Sequence, residues 1–163
     1  MNKYALVAGV ATVVVVFDQF TKWLITRSFA LHESLPVIDS LFHLTYVRNR
    51  GGAFSILADQ PDALRIPFFV IVSLVAFAAL VYFLRSVDGD QRWLLFALGG
   101  ILGGAVGNFL DRITAGTVID FLDFHWRGYY FPAFNVADSF ITVGTGIVLL
   151  HSFLGQGERE ELR

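Results

Sequence analysis

The chain contains no cysteine, one methionine and four prolines, and only 16% of its 163 residues are charged. Without cysteine there can be no thiol nucleophile, thiolate zinc site, iron–sulfur cluster or disulfide, and the redox compartment is left open. Charge is scarce in both signs, with 12 Lys and Arg against 14 Asp and Glu. No basic tract is available to hold nucleic acid or an acidic partner. No serine sits in a G-x-S-x-G turn, and no H-E-x-x-H occurs. The four histidines, His32, His43, His125 and His151, are scattered without ligand spacing. Neither a metal nor another cofactor is expected from them.

What the chain has in abundance is apolar surface. Hydrophobic residues make up 55% of it and the mean hydropathy is +0.62, too apolar for a soluble domain of this size. Four segments, at 4–24, 66–84, 93–110 and 136–154, offer about the 20 residues that a bilayer core requires. They are expected to cross the membrane within one embedded domain over 1–163, with both termini on the same side. Lys3, the apolar run after it and Ser28-Phe29-Ala30 also resemble a cleaved signal peptide. Asp18, Lys22 and Arg27 interrupt that pattern and argue for a retained helix. Basic residues give no clear orientation: Lys3, Arg85, Arg92, Arg159 and Arg163 lie on the side of the termini. Arg27, Arg48, Arg50, Arg65 and Arg127 lie opposite, with Lys22 and Arg112 near the membrane, which slightly favours termini outside.

The connection over 28–65 holds three β-prone runs, at 35–38, 41–47 and 53–57, parted by Asp39-Ser40 and by Asn49-Arg50-Gly51-Gly52. It reads as a small sheet or hairpin lying on the membrane surface. On the same side, a strand-like run over 117–126 precedes Tyr129, Tyr130 and Phe131, aromatics suited to the headgroup region. The expected fold class is therefore an α-helical integral membrane protein. It has four transmembrane helices, a small β-sheet and a partly extended surface loop. Gly99, Gly100, Gly103, Gly104 and Gly107 mark the third span as a close-packing helix. The polar tail over 156–163 is expected to be mobile.

Ionisable residues at the edge of an apolar segment cost free energy unless paired or hydrated, which makes them functional candidates. Asp18 and Lys22 stand four apart on one helix face, where they can pair. Asn108, Asp111 and Arg112 close the third span on one stripe. They are either interfacial side chains or a shell that holds carboxylates in place. Asn49, with Gly51 and Gly52, is either a turn of positive φ or a donor to a bound backbone. Asn135 and Asp138 have the spacing of a capping box at the start of the fourth helix, which puts Asp138 at the positive end of a helix dipole. Asp120 alternates with Val118, Leu122 and Phe124 on an apolar strand face, where desolvation should raise its pKa. Asp123, its rival, points the other way with His125. Two carboxylates in such different settings suit one acid and one base.

Five blocks follow one another along the chain: Asp18-Gln19-x-Thr21-Lys22, Asn49-x-Gly51-x-Ala53-Phe54, Gly107-Asn108-x-x-Asp111-Arg112, Val118-x-Asp120-Phe121 and Phe134-Asn135-x-Ala137-Asp138. In this order they resemble one family over nearly the whole chain, the bacterial lipoprotein signal peptidases or signal peptidase II. Gly52 stands where the family more often has alanine. The resemblance implies an aspartyl endopeptidase of the bacterial inner membrane that needs no cofactor. It would remove signal peptides from prolipoproteins, cutting before a lipobox cysteine that carries a diacylglyceryl group. The resemblance further implies Asp120 and Asp138 as the dyad, with Asn49, Asn108, Arg112 and Asn135 lining the site. The family pattern has both termini cytoplasmic and the dyad near the outer face, against the charge count. The partners expected are prolipoproteins and membrane phospholipids, with the enzyme a monomer and no nucleic acid bound. A rival reading makes the chain a small transporter or proton relay using Asp18, Asp111, Asp120 and Asp138. Against it, relays need ionisable groups through the membrane depth, and the second and third spans have none in the middle.

Overall fold

The computed structural model describes residues 2–52 and 56–161, with side chains described as far as Leu154 in the last helix. Four helices carry the fold: α1 (Lys3–Ser28), α2 (Asp62–Ser86), α3 (Arg92–Ala115) and α4 (Val136–Glu161). Each contains a segment long and apolar enough to cross a membrane. Between them lie β1 (Ser34–Ile38), β2 (Phe42–Asn49), β3 (Val118–Trp126) and β4 (Tyr129–Tyr130), an antiparallel sheet in the order 1-2-3-4.

Packing follows from where the small residues fall. Helix α3 lies at the centre and packs against α1, α4 and, less extensively, α2. Its glycines divide between two neighbours. Gly99, Gly103 and Gly107 face α1, while Gly100 and Gly104 face α4. A Cβ on Gly103 would stand 2.7 Å from the Ala11 carbonyl oxygen, so only glycine permits that approach. On α1 the buried positions Val7, Ala11, Val14, Asp18, Lys22 and Ile25 recur every three to four residues. Asp18 and Lys22 therefore continue the same stripe that packs the helix. By contrast, α2 buries only Arg65 and Leu84 and leaves an otherwise apolar surface for lipid.

The sheet is fastened to α1 by a cluster of Ile25, Tyr46 and Phe121. In the ladder, Val47 lies opposite Asp120 and His43 opposite Asp123, with a bulge in β2 between Leu44 and Val47. Phe134, just before α4, accepts the backbone N–H groups of Phe121 and Leu122 at 2.9 and 2.8 Å. That contact ties the middle of β3 to the residues that lead into α4.

Several expectations need adjustment. All four helices run beyond the expected spans, because helical pairing continues into the interfacial region. The start of α2 moves back to Asp62, where Pro61 precedes the helix and Asp62 pairs with Arg65 one turn on at 2.7 Å. Residues 49–52 do not form a positive-φ hairpin turn. The positive φ values among the described residues lie elsewhere, at Leu57 and Gly116 for example. Of the strand expected over 53–57, residues 53–55, including the motif residues Ala53 and Phe54, lie outside the described residues, and 56–57 are turn. Helix α4 extends past the expected end of the fourth span, through residues 155–161, and residues 162–163 lie outside the described residues.

Candidate active site

Asp120 and Asp138 reach a common cavity of about 980 Å³ that Asn49, Asn108 and Arg112 also line. Asp120 comes from the buried face of β3 and Asp138 from the first turn of α4. Asn135 joins them. Its Nδ2 donates to Asp120 Oδ1 at 2.7 Å, and its Oδ1 accepts the Asp138 N–H at 2.9 Å. The Asn135 N–H lies 3.3 Å from Asp138 Oδ2, which completes the capping box that the spacing suggested. The cap of α4 and the assembly of the site are thus one arrangement.

Asn108 is the second hub. Its Nδ2 donates to Asp138 Oδ1 at 2.7 Å, while its Oδ1 accepts from Lys22 Nζ at 3.0 Å and from Asn135 Nδ2 at 3.2 Å. Lys22 is buried and also meets Asp18 Oδ2 and Asp111 Oδ2, each at 2.8 Å. An ammonium in an apolar bundle is tolerable only with its three protons so matched. Asp18 in turn accepts the Ala137 N–H at 3.0 Å, a free donor in the first turn of α4. Asp111 accepts the Ile119 N–H at 3.2 Å and so holds the start of β3. The ion cluster under the cavity fixes both elements that carry Asp120 and Asp138.

Burial first, and then the neighbouring Asp138 charge, push the Asp120 carboxyl up to about 7. Hydrogen bonds from Asn49 and Asn135 and the charge of Lys22 oppose that rise. A carboxyl with this value is half protonated near neutral pH, next to a second carboxylate that receives hydrogen bonds from Asn108 and Asn135.

The remaining candidates build the wall of the cavity. Asn49 Oδ1 accepts the Gly51 N–H at 2.8 Å, closing a turn on itself. Arg112 Nη2 donates to the Gly51 carbonyl at 3.2 Å, and its guanidinium carbon sits 4.8 Å from the Phe69 ring centroid. Asn108, Asp111 and Arg112 therefore do not act as one stripe. At 100° per residue, Asp111 and Arg112 diverge, one toward Lys22 and the other toward the turn.

Three participants have weak or no sequence signal. Gln19 Nε2 donates to Asp111 Oδ1 at 2.9 Å and lies 3.2 Å from Asp18 Oδ2, so it supports two carboxylates at once. Only its place in the Asp18-Gln19 block pointed to it. Gly107 makes room for the Asp18 carboxylate, on which any Cβ there would fall. Buried Arg65 donates to the backbone carbonyls of Arg50 and Gly116, joining the surface loop to the turn that ends α3.

Known proteins show what the chain as a whole is similar to. Residues 10–154 match the family model described as Signal peptidase (SPase) II. A lipoprotein signal peptidase of Syntrophotalea carbinolica is 49% identical over 150 residues, 92% of each chain. One of Geobacter sulfurreducens is 51% identical over 133 residues, 82% of each chain. A bacterial membrane enzyme solved by the in meso method at 2.3 Å superposes with a TM-score of 0.82 and 34% identity, covering 91% of this chain and 88% of that one. A second, solved at 1.9 Å, gives a TM-score of 0.76 and 36% identity, with 87% and 88% coverage. The chain belongs to the signal peptidase II family of bacterial membrane peptidases.

Proposed function

We propose that this protein removes the signal peptides of diacylglyceryl-modified prolipoproteins, cutting before the lipidated cysteine with Asp120 and Asp138 as the catalytic dyad. The observation that carries this reading is the meeting of the two carboxyl groups at one cavity, bridged by Asn135. Asp138 acts as base and takes a proton from water, whose oxygen attacks the scissile carbonyl carbon. Protonated Asp120 gives its proton to the carbonyl oxygen, leaving a neutral tetrahedral diol. Asp138 then passes the proton it holds to the amide nitrogen, the C–N bond breaks, and Asp120 recovers a proton from the diol. The pair returns to its starting state with one proton shared between two sites.

The turn at Asn49–Gly52 and the aromatic residues Phe131 and Phe134 line the cavity and hold the extended segment around the scissile bond. Apolar helix surfaces beside the cavity receive the signal-peptide helix and the acyl chains. In this reading both termini are cytoplasmic, the dyad lies near the outer face, and the monomer works in direct contact with phospholipid. Exposed Trp126, Tyr129 and Tyr130 on the sheet fit a headgroup setting.

The proton-relay reading loses ground, because Asp18, Lys22, Asp111, Arg112, Asp120 and Asp138 join through Asn108 and Asn135 into one connected group at one end of the bundle. Purified protein mixed with a lipidated prolipoprotein peptide tests the proposal. Mass spectrometry should find one new N-terminus, at the lipidated cysteine, and little cleavage of the unlipidated peptide. Absence of cleavage, or cleavage elsewhere at equal rate, would refute it.

A further inference from the structure

A second cluster of ligand-capable side chains lies on the sheet, facing away from the dyad. His43 in β2 and Asp123 and His125 in β3 each offer a ligand atom, and these atoms all lie within 4.8 Å of one another. Register explains the grouping. His43 is the direct cross-strand partner of Asp123, and His125 follows two residues later on the same face. The two imidazoles meet edge to face with ring centroids 4.3 Å apart.

The surroundings resemble the outer shell of a ligand set. Thr45 Oγ1 donates to Asp123 Oδ2 at 3.3 Å, and Ser34 Oγ lies 3.4 Å from His43 Nδ1. Such second contacts fix the tautomer and direction of ligating imidazoles and carboxylates. Tyr130 stacks over the His125 ring at 5.5 Å between centroids. Beneath it, His125 Nδ1 is buried with no hydrogen-bond partner, an arrangement that costs free energy unless something else engages that nitrogen.

We propose that His43, Asp123 and His125 bind a divalent cation of the zinc class, which fastens β2 to β3. Two imidazoles and one carboxylate suit Zn²⁺ and its neighbours, whereas Mg²⁺ and Ca²⁺ call for oxygen ligands throughout. Three protein ligands with water at the fourth position complete a tetrahedral shell. Bonds of about 2.0–2.2 Å bring ligand atoms to roughly 3.3 Å from one another, so rotamer changes of about an ångström close the site. The cation would act where the ladder is weak, next to the β2 bulge between Leu44 and Val47. Beyond that bulge, β2 carries Val47 opposite Asp120 and ends at Asn49 on the cavity wall.

The test uses the full chain in detergent micelles, freed of any histidine tag and stripped of metal. Titration with Zn²⁺ against a chromophoric chelator should show about one ion per chain, with no comparable uptake of Mg²⁺. His43→Gln and His125→Gln should each weaken zinc by at least on the order of 10–100-fold, the loss expected even for outer-shell partners. His151→Gln should bind as the parent does. Zinc should raise the thermal midpoint of the parent and leave those of the two ligand variants unmoved. Should the variants fail to fold, Co²⁺ in the parent protein decides. A tetrahedral ligand-field spectrum supports the site, and the spectrum of the aqueous ion overturns it. Failure of the parent to take up zinc, or parent-like affinity in both ligand variants, would reduce the cluster to a stack of hydrogen-bonding groups.

Discussion

Asn135 Nδ2 lies 2.7 Å from Asp120 Oδ1, and the same side chain caps the helix that carries Asp138. The amide thus couples the charge state of one carboxyl group to the position of the other. Its hydrogen bond lowers the Asp120 pKa, while burial and Asp138 raise it to about 7.

A pH prediction follows for kcat/KM. With Asp120 as the acid, activity should decline on the alkaline side with a limb near pH 7, a value that belongs to the coupled pair. Asn135→Ala removes a bond that holds the pKa down, so the limb should move to higher pH even as the rate falls. A limb that stayed fixed, or moved down, would contradict the role given to Asn135.

Stability should respond to pH with the opposite sign to an ordinary paired aspartate. The folded pKa of about 7 lies above the ordinary aspartate value of 3.8, so the native state holds the proton more tightly. The contribution of Asp120 to stability is therefore fully present below the unfolded pKa. It is lost as pH rises through the folded value. Asp120→Asn, which stays neutral, should unfold at higher temperature than the parent at pH 8–9, with a smaller gap near pH 5. An equal gap at both pH values would count against a raised pKa.

Lys22 balances Asp18 and Asp111, and its removal would leave two buried carboxylates with no cation between them. Lys22→Met alone should cost about 3–5 kcal/mol, the range for breaking one partner of a buried pair. Replacing Asp18 by Asn in the same protein should recover part of that loss. Thermal unfolding in detergent measures both. Loss of no more than a surface pair's worth from Lys22→Met would show the cluster to be hydrated.

Two glycines separate packing from helix propensity. Gly107→Ala places a methyl on the Asp18 carboxylate, whereas Gly9→Ala meets nothing within 4 Å. Gly107→Ala should lose most peptidase activity by shifting Asp18 from the Ala137 N–H, and Gly9→Ala should keep it. Equal activity in both would remove Asp18 from the support of α4.

Much of this architecture is legible in the amino-acid order, because period and spacing carry it. The three-residue step from Asn135 to Asp138 marks a capping box, and the four-residue step from Asp18 to Lys22 marks a shared helix face. Alternation through Val118, Asp120 and Leu122 separates Asp120 from Asp123, which the structure directs to Asn135 and to Thr45 respectively. What spacing cannot express is partnership between distant elements. His43 and His125 stand 4.3 Å apart by ring centroid only because strand register brings them together. Arg65 looks like a polar residue outside the second span, yet its reach to the Gly116 carbonyl buries it within α2. The bulge in β2 and the divergence of Asp111 from Arg112 likewise depend on neighbours that local pattern does not name.

Cleavage of a lipidated prolipoprotein peptide by the single-site variants tests the central claim most directly. Asp120→Asn and Asp138→Asn should each insert and fold, yet lose on the order of 10²–10⁴ in rate, since an amide can neither accept nor return the catalytic proton. Near-parental rates from either variant, or an inactive Asp123→Asn beside an active Asp120→Asn, would contradict the assignment of the dyad.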